Sequence, residues 1–204
     1  MPGQLFEFDP PERFVAGTVG QPGDRTFFLQ ASAGGRLVSV ALEKVQVAAL
    51  AEKLDELLDE VRRRHGADSP IPAAASVDLE DVRPLDVPVE EEFRVGTLAL
   101  AWDDDSGQVI VEAQSVEEPP ADAPADDDES VATQGVSGEG AGPGGLEFTG
   151  DMLRVRISPE VARAFSKRAQ RVVAAGRPPC PLCGNPLDPE GHICPRQNGH
   201  RGPR

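Results

Sequence analysis

The sequence predicts an α+β fold. It is read as two β-β-β-α repeats forming a mainly antiparallel sheet, with two helices on one face and a small C-terminal zinc-binding tail. Three observations predict this. Twice, a group of alternating apolar segments runs straight into a segment of helical period, without β-α-β alternation. Phe14-Val15-Ala16-Gly17-Thr18-Val19 matches Phe93-Arg94-Val95-Gly96-Thr97-Leu98 at the same place in each group. All three cysteines lie in the last 25 residues.

The elements follow in order. Gln4 to Phe8 alternates and reads as a short strand, broken by Asp9-Pro10-Pro11. Arg13 to Val19, Arg25 to Ala31 and Arg36 to Leu42 read as three more strands, parted by Gly20 to Asp24 and by Ala33-Gly34-Gly35. This punctuation predicts an antiparallel meander. From Glu43 to about His65, Val47, Leu50, Leu54, Leu57, Leu58 and Val61 recur at three- and four-residue steps, the signature of an amphipathic helix. Gly66 ends it and Pro70 follows. The first unit therefore spans 1–65, and 66–90 reads as a crossing linker of Ala, Pro and acids.

The second unit spans 91–176. Phe93 to Trp102 and Gln108 to Ser115 form a hairpin around Asp103 to Gly107. Residues 116–145 carry acids but no base, and are expected to be a disordered insertion. Met152 to Ile157 is the next strand. Ser158 and Pro159 then supply a cap and a first-turn proline for a helix to about Ala175, closed by Gly176. The two units are expected to be related by a pseudo-twofold axis.

Composition narrows the function classes. The formal charge is -15, and ten Arg or Lys oppose four Asp or Glu from Asp151 onward, so the negative excess lies in the first 150 residues. Such a body repels nucleic acid, which makes nucleic-acid binding unexpected. Met1 to Phe8 has no basic or apolar run of a signal peptide. No segment has the roughly 18 apolar residues of a membrane span. A cytoplasmic protein is expected, and in a reducing compartment clustered thiols point to metal.

The chemistry is concentrated in 177–204. Cys180-Pro181-Leu182-Cys183-Gly184 has the form of a zinc knuckle, a tight turn presenting two sulfurs to one ion. A seven-residue loop, Asn185 to Gly191, leads to His192 and Cys194. Residues two apart on a strand face the same side, so both can ligate. His200 is the alternative fourth ligand. The expected site is thus Cys180, Cys183, His192 and Cys194, with a structural Zn²⁺ that folds a tail too short for its own core. A redox Cys-x-x-Cys pair fits less well, because that motif favours a helix N-terminus.

Other candidates carry blander readings. Asp103, Asp104 and Asp105 read as solvated turn carboxylates, and His65 as a complement to its helix dipole. Arg177, Arg196, Arg201 and Arg204 read as solvated charge, with a grip on phosphate or an acidic surface as the sharper alternative. No catalytic residue is assigned.

Five stretches carry a family resemblance: Phe6 to Phe14, Phe28 to Ala31, Leu42 to Gln46, Leu54 to Glu60, and Cys180 to Gly199. Together they resemble an uncharacterised actinobacterial family, a conserved hypothetical "repeat protein" of unknown function. The resemblance covers nearly the whole chain apart from the acidic insertion and implies no activity. A tyrosine commonly follows the Asn-Gly near the end of that family; here His200 stands after Asn198-Gly199. The departure favours His192 as the ligand.

Two functions are expected from different classes. One is a non-enzymatic protein-binding or adaptor module with a structural zinc site. The other is an enzyme or small-molecule-binding protein with a pocket at the junction of the two repeats.

Overall fold

The computed structural model describes residues 3–66, 69–116, 150–176 and Leu182. Most of the acidic insertion, and Cys180, Cys183, His192, Cys194 and His200, lie outside the described residues.

The strands are β1 (Leu5–Phe8), β2 (Arg13–Gln21), β3 (Asp24–Ala33), β4 (Arg36–Leu42), β5 (Glu91–Asp103), β6 (Gln108–Ser115) and β7 (Met152–Ile157). The helices are α1 (Lys44–His65) and α2 (Pro159–Ala174), so the architecture is α+β. One mixed sheet takes the order β1-β7-β6-β5-β4-β3-β2. Each trio, β2-β3-β4 and β5-β6-β7, is an antiparallel meander. The trios meet through the parallel pair β4–β5, and β1 joins β7 in parallel.

This arrangement corrects one expectation. The first strand does not extend the first meander; it crosses to β7. Pro10 and Pro11 lack the N–H groups of a tight hairpin, while the cross-over buries Phe6 and Phe8. Both helices pack together on one face, and β2 and β5 run the same way, because β4 parallels both.

The sheet must curl. Flat, with neighbours about 4.8 Å apart, its edges β1 and β2 would lie roughly 29 Å apart. Five residue steps join Phe8 to Arg13, and they reach at most about 19 Å. Side chains record the curl: the Phe6 ring lies 6.2 Å from Phe93 of β5, and Arg36 of β4 sits over Phe6 at 5.1 Å and Phe8 at 5.6 Å. The concave face holds the helices. Val47, Leu50, Leu54, Leu58 and Val61 of α1 and Ala162, Phe165 and Ala169 of α2 join one core with the inward residues of all seven strands. Phe165 stacks on Phe14 of β2 at 4.5 Å, which fixes α2 against the far edge from the strand that leads into it.

Local chemistry sets the element ends. Glu43 N–H donates to Gln46 Oε1 at 2.8 Å, while Gln46 Nε2 donates to Val95 O at 3.1 Å, so the start of α1 is tied to β5. Ser158 Oγ accepts from Val161 N–H, as its sequence position predicts. Gly34 and Gly35 turn β3 into β4 at φ 59° and 78°, values that side-chain-bearing residues rarely take.

Residues 69–89 are more than a spacer. They form a strap with a short 3-10 turn at Val77–Leu79, and they bury Ile71 and Leu85. Leu85 closes a second cluster with Val15, Phe28 and Ala41 on the convex face of the first trio. Gly17 permits that approach, since a Cβ there would meet Leu85 at 2.6 Å.

Candidate functional site

The buried polar groups converge on the strap. Arg13 enters from the start of β2 and Arg168 from the middle of α2, and both are buried although charged. A buried guanidinium needs a carboxylate and hydrogen-bond acceptors nearby. Asp81 of the strap supplies the shared charge. Its carboxylate accepts from Arg13 Nε at 2.7 Å and from Arg168 Nη1 at 2.7 Å. Backbone carbonyls take the remaining donors: Ala16 O from Arg168 Nε at 2.7 Å, Arg83 O from Arg168 Nη2 at 2.8 Å, and Pro84 O from Arg13 Nη2 at 2.8 Å. Asp86 Oδ2 lies 2.8 Å from Arg13 Nη1, a close ion pair without hydrogen-bond alignment.

The electrostatics follow from this packing. Hydrogen bonding to Arg13 holds the Asp81 carboxyl far below the usual carboxylate range, against the opposing effect of burial. The Arg13 guanidinium is raised by Asp81 and, less strongly, by Asp86. Burial lowers Arg168, and the attraction of Asp81 only partly offsets it. Arginine starts so high that both guanidiniums stay charged.

Two further contacts fasten the strap and the helices. Gln30 of β3 acts as a backbone mimic: its Nε2 donates to Asp86 O at 3.0 Å and its Oε1 accepts from Asp86 N–H at 2.8 Å. Arg163 of α2 donates to Asp55 Oδ1 of α1 at 2.7 Å, pairs with Asp59, and reaches Pro72 O at 3.2 Å. Ser166 Oγ donates to Ala51 O at 2.9 Å. All these groups serve to hold α1, α2, the strap and the sheet together. Sequence reasoning assigned none of them a role. The signal available was two arginines, Arg163 and Arg168, bordering the apolar stripe of α2 and facing an acidic, proline-rich strap.

Clefts lie at the helix ends and between the helices. One, about 650 Å³, is lined by Gly23, Arg25, Phe27, Lys44, Val173 and Gly176 among others, between the first unit and the end of α2. One of about 310 Å³ lies beside Asp55, Asp59 and Arg163. A smaller one, about 150 Å³, adjoins Arg13, Asp81 and Arg168.

The zinc ligands expected from the sequence fall beyond Gly176 and outside the described residues. Among the described residues no three His, Cys, Asp or Glu side chains gather in a metal-holding group. Asp103 caps its own turn, accepting from Asp105 N–H at 3.1 Å and from Arg156 at 3.0 Å. Asp104 accepts from Trp102 Nε1 at 2.7 Å. His65 Nδ1 lies 2.9 Å from Val61 O in the last turn of α1, where the dipole reading placed it. No helix of the described residues is long and apolar enough to cross a membrane.

With this geometry in place, comparison with known proteins assigns a family. The chain belongs to the family described as protein of unknown function, DUF3090, whose family model matches residues 6–194. Neither a curated protein nor a solved structure matches the chain.

Proposed function

We propose that the protein is a cytoplasmic, non-enzymatic protein-binding or adaptor module whose C-terminal tail is folded by one structural zinc ion. Cys180, Cys183, His192 and Cys194 are the proposed ligands, with His200 as the alternative fourth. The ligand spacing carries this reading: four metal-type side chains stand within 180–194, in a segment with few apolar residues to fold around. Four protein ligands complete a tetrahedron and close the ion to substrate. The adaptor role draws on the body, where Arg13, Gln30, Arg163, Ser166 and Arg168 are engaged within the fold. The two β-β-β-α units are read as an internal duplication, supported by the matched Phe14 and Phe93 segments and by the resemblance to an actinobacterial repeat protein.

Metal analysis of the purified full-length chain tests the zinc. About one equivalent is expected, and less than about half an equivalent overturns the assignment. Zinc retention in His192→Ala and His200→Ala then identifies the fourth ligand. Loss confined to His200→Ala replaces His192 by His200.

A second reading, a small-molecule-binding protein with a pocket at the junction of the two units, draws on the 650 Å³ cleft between the first unit and the end of α2.

A further inference from the structure

We infer that the cleft between the β2–β3 turn, the start of α1 and the end of α2 binds a small phosphorylated ligand bearing an apolar group, with Arg25 and Lys44 as its anion-binding pair. This rests on the junction-pocket reading above and names the ligand class.

The cleft has the size of a ligand pocket, about 650 Å³. Its floor is apolar, with Phe27 buried and Val173 packed against the core. Its cations are the unusual feature. Most described Arg and Lys side chains are taken up in ion pairs, on the strap, along α1 or across the sheet. Among the described residues Arg25, Arg36, Lys44 and Arg62 enter no ion pair. Arg36 is occupied by the Phe6 and Phe8 rings, and Arg62 stands near the far end of α1. The remaining two come from different elements and line the same cleft.

In a chain of charge -15, carboxylates are plentiful, yet the nearest are not used on this pair. Glu43, next to Lys44, turns instead to Arg94 at 3.2 Å. Asp24, next to Arg25, is exposed and makes no ion pair with a described residue. The Lys44 ammonium reaches across the cleft: its Nζ lies 3.9 Å from the point where a Cβ on Gly176 would stand. Two carbonyls at that end of α2 already accept backbone bonds, Arg171 O from Ala175 N–H at 2.9 Å and Ala174 O from Gly176 N–H at 2.7 Å. Lys44 is also the first residue of the 22-residue α1. A planar guanidinium and a compact ammonium together suit a phosphate dianion, and the Phe27 floor suits the organic group attached to it.

Titration calorimetry on the full-length protein, with phenyl phosphate, inorganic phosphate and phenol as probes, tests this. Phenyl phosphate is expected to bind more tightly than either fragment. Arg25→Gln and Lys44→Gln should each weaken it by about tenfold or more, while Arg62→Gln leaves it unchanged. Both substitutions lie at the surface, and unchanged thermal unfolding confirms that the fold persists. Absence of phenyl phosphate binding, or equal affinity in Arg25→Gln and Lys44→Gln, overturns the inference. Phenol binding without preference for phosphate retains a junction pocket but overturns the anion assignment.

Discussion

The two meanders share an element order but differ in how their convex faces are treated. On β2-β3-β4 that face is covered: Val15, Phe28 and Ala41 lie under Leu85 of the strap, and Gln30 is bonded to Asp86. On β5-β6-β7, among the described residues, it is laced by ion pairs instead, Arg154 with Glu112 at 2.7 Å and Arg156 with Asp103 at 3.0 Å. The matched glycines show the same divergence. Gly17 makes room for Leu85, whereas Gly96 sits at a register shift of β5 where a Cβ would come within 3.0 Å of Val116 Cα. One sequence pattern therefore serves two environments, and the strap decides which is which.

The difference between the meanders depends most on the node that holds the strap. Asp81→Ala leaves Arg13 and Arg168 buried without their shared carboxylate, and should cost about 3–5 kcal/mol in urea unfolding. The same node sets the acid response. Because Asp81 is held below its ordinary pKa of 3.8, the unfolded chain takes up this proton at a higher pH than the folded one. Its stabilisation is complete above pH 3.8 and is lost as the pH falls below it, so Asp81→Asn should flatten acid unfolding in that range. An unchanged acid profile in Asp81→Asn would show that other carboxylates govern it.

Leu85→Ala removes the apolar half of the strap contact. A loss of about 2 kcal/mol is expected, at the low end for leucine truncation because the site lies at the surface of its cluster. Limited proteolysis should then cut within 69–89 before it cuts β5-β6-β7. Gly17→Ala probes the same contact from the β2 side. It should cost about 1–2 kcal/mol through its clash with Leu85, and most of that cost should vanish in the Leu85→Ala background. Additive losses in the double variant would place the cost in the β2 backbone. The smallest effect belongs to the ion-paired face of the second meander, where Glu112→Gln should change stability by less than about 1 kcal/mol and lose even that in high salt.

Much of the body was legible as local pattern. α1 starts at Lys44 and ends at His65, within a residue of the range its apolar spacing predicts, and Ser158-Pro159 opens α2 as expected. The strap was not legible. Its only buried apolar residues are Ile71 and Leu85, far apart in an acidic, proline-rich segment that has the composition of a linker. Its hold on the body runs through Asp81, whose partners Arg13 and Arg168 lie 68 and 87 residues away. No periodicity records a contact of that kind.

By itself, the sequence determined the class of the fold, the identity of most elements and the ligand-type spacing of the tail. Each of these depends on interactions between near neighbours: a pleat, a helical turn, a cap or a knuckle. Only the tertiary structure decided that β1 crosses to β7, that β4 and β5 pair in parallel, and that the strap covers the first meander. Those choices depend on closing a curled sheet around two helices and on finding partners for two buried guanidiniums. Both are settled among residues distant in the chain, where the free energy of burial outweighs any local preference.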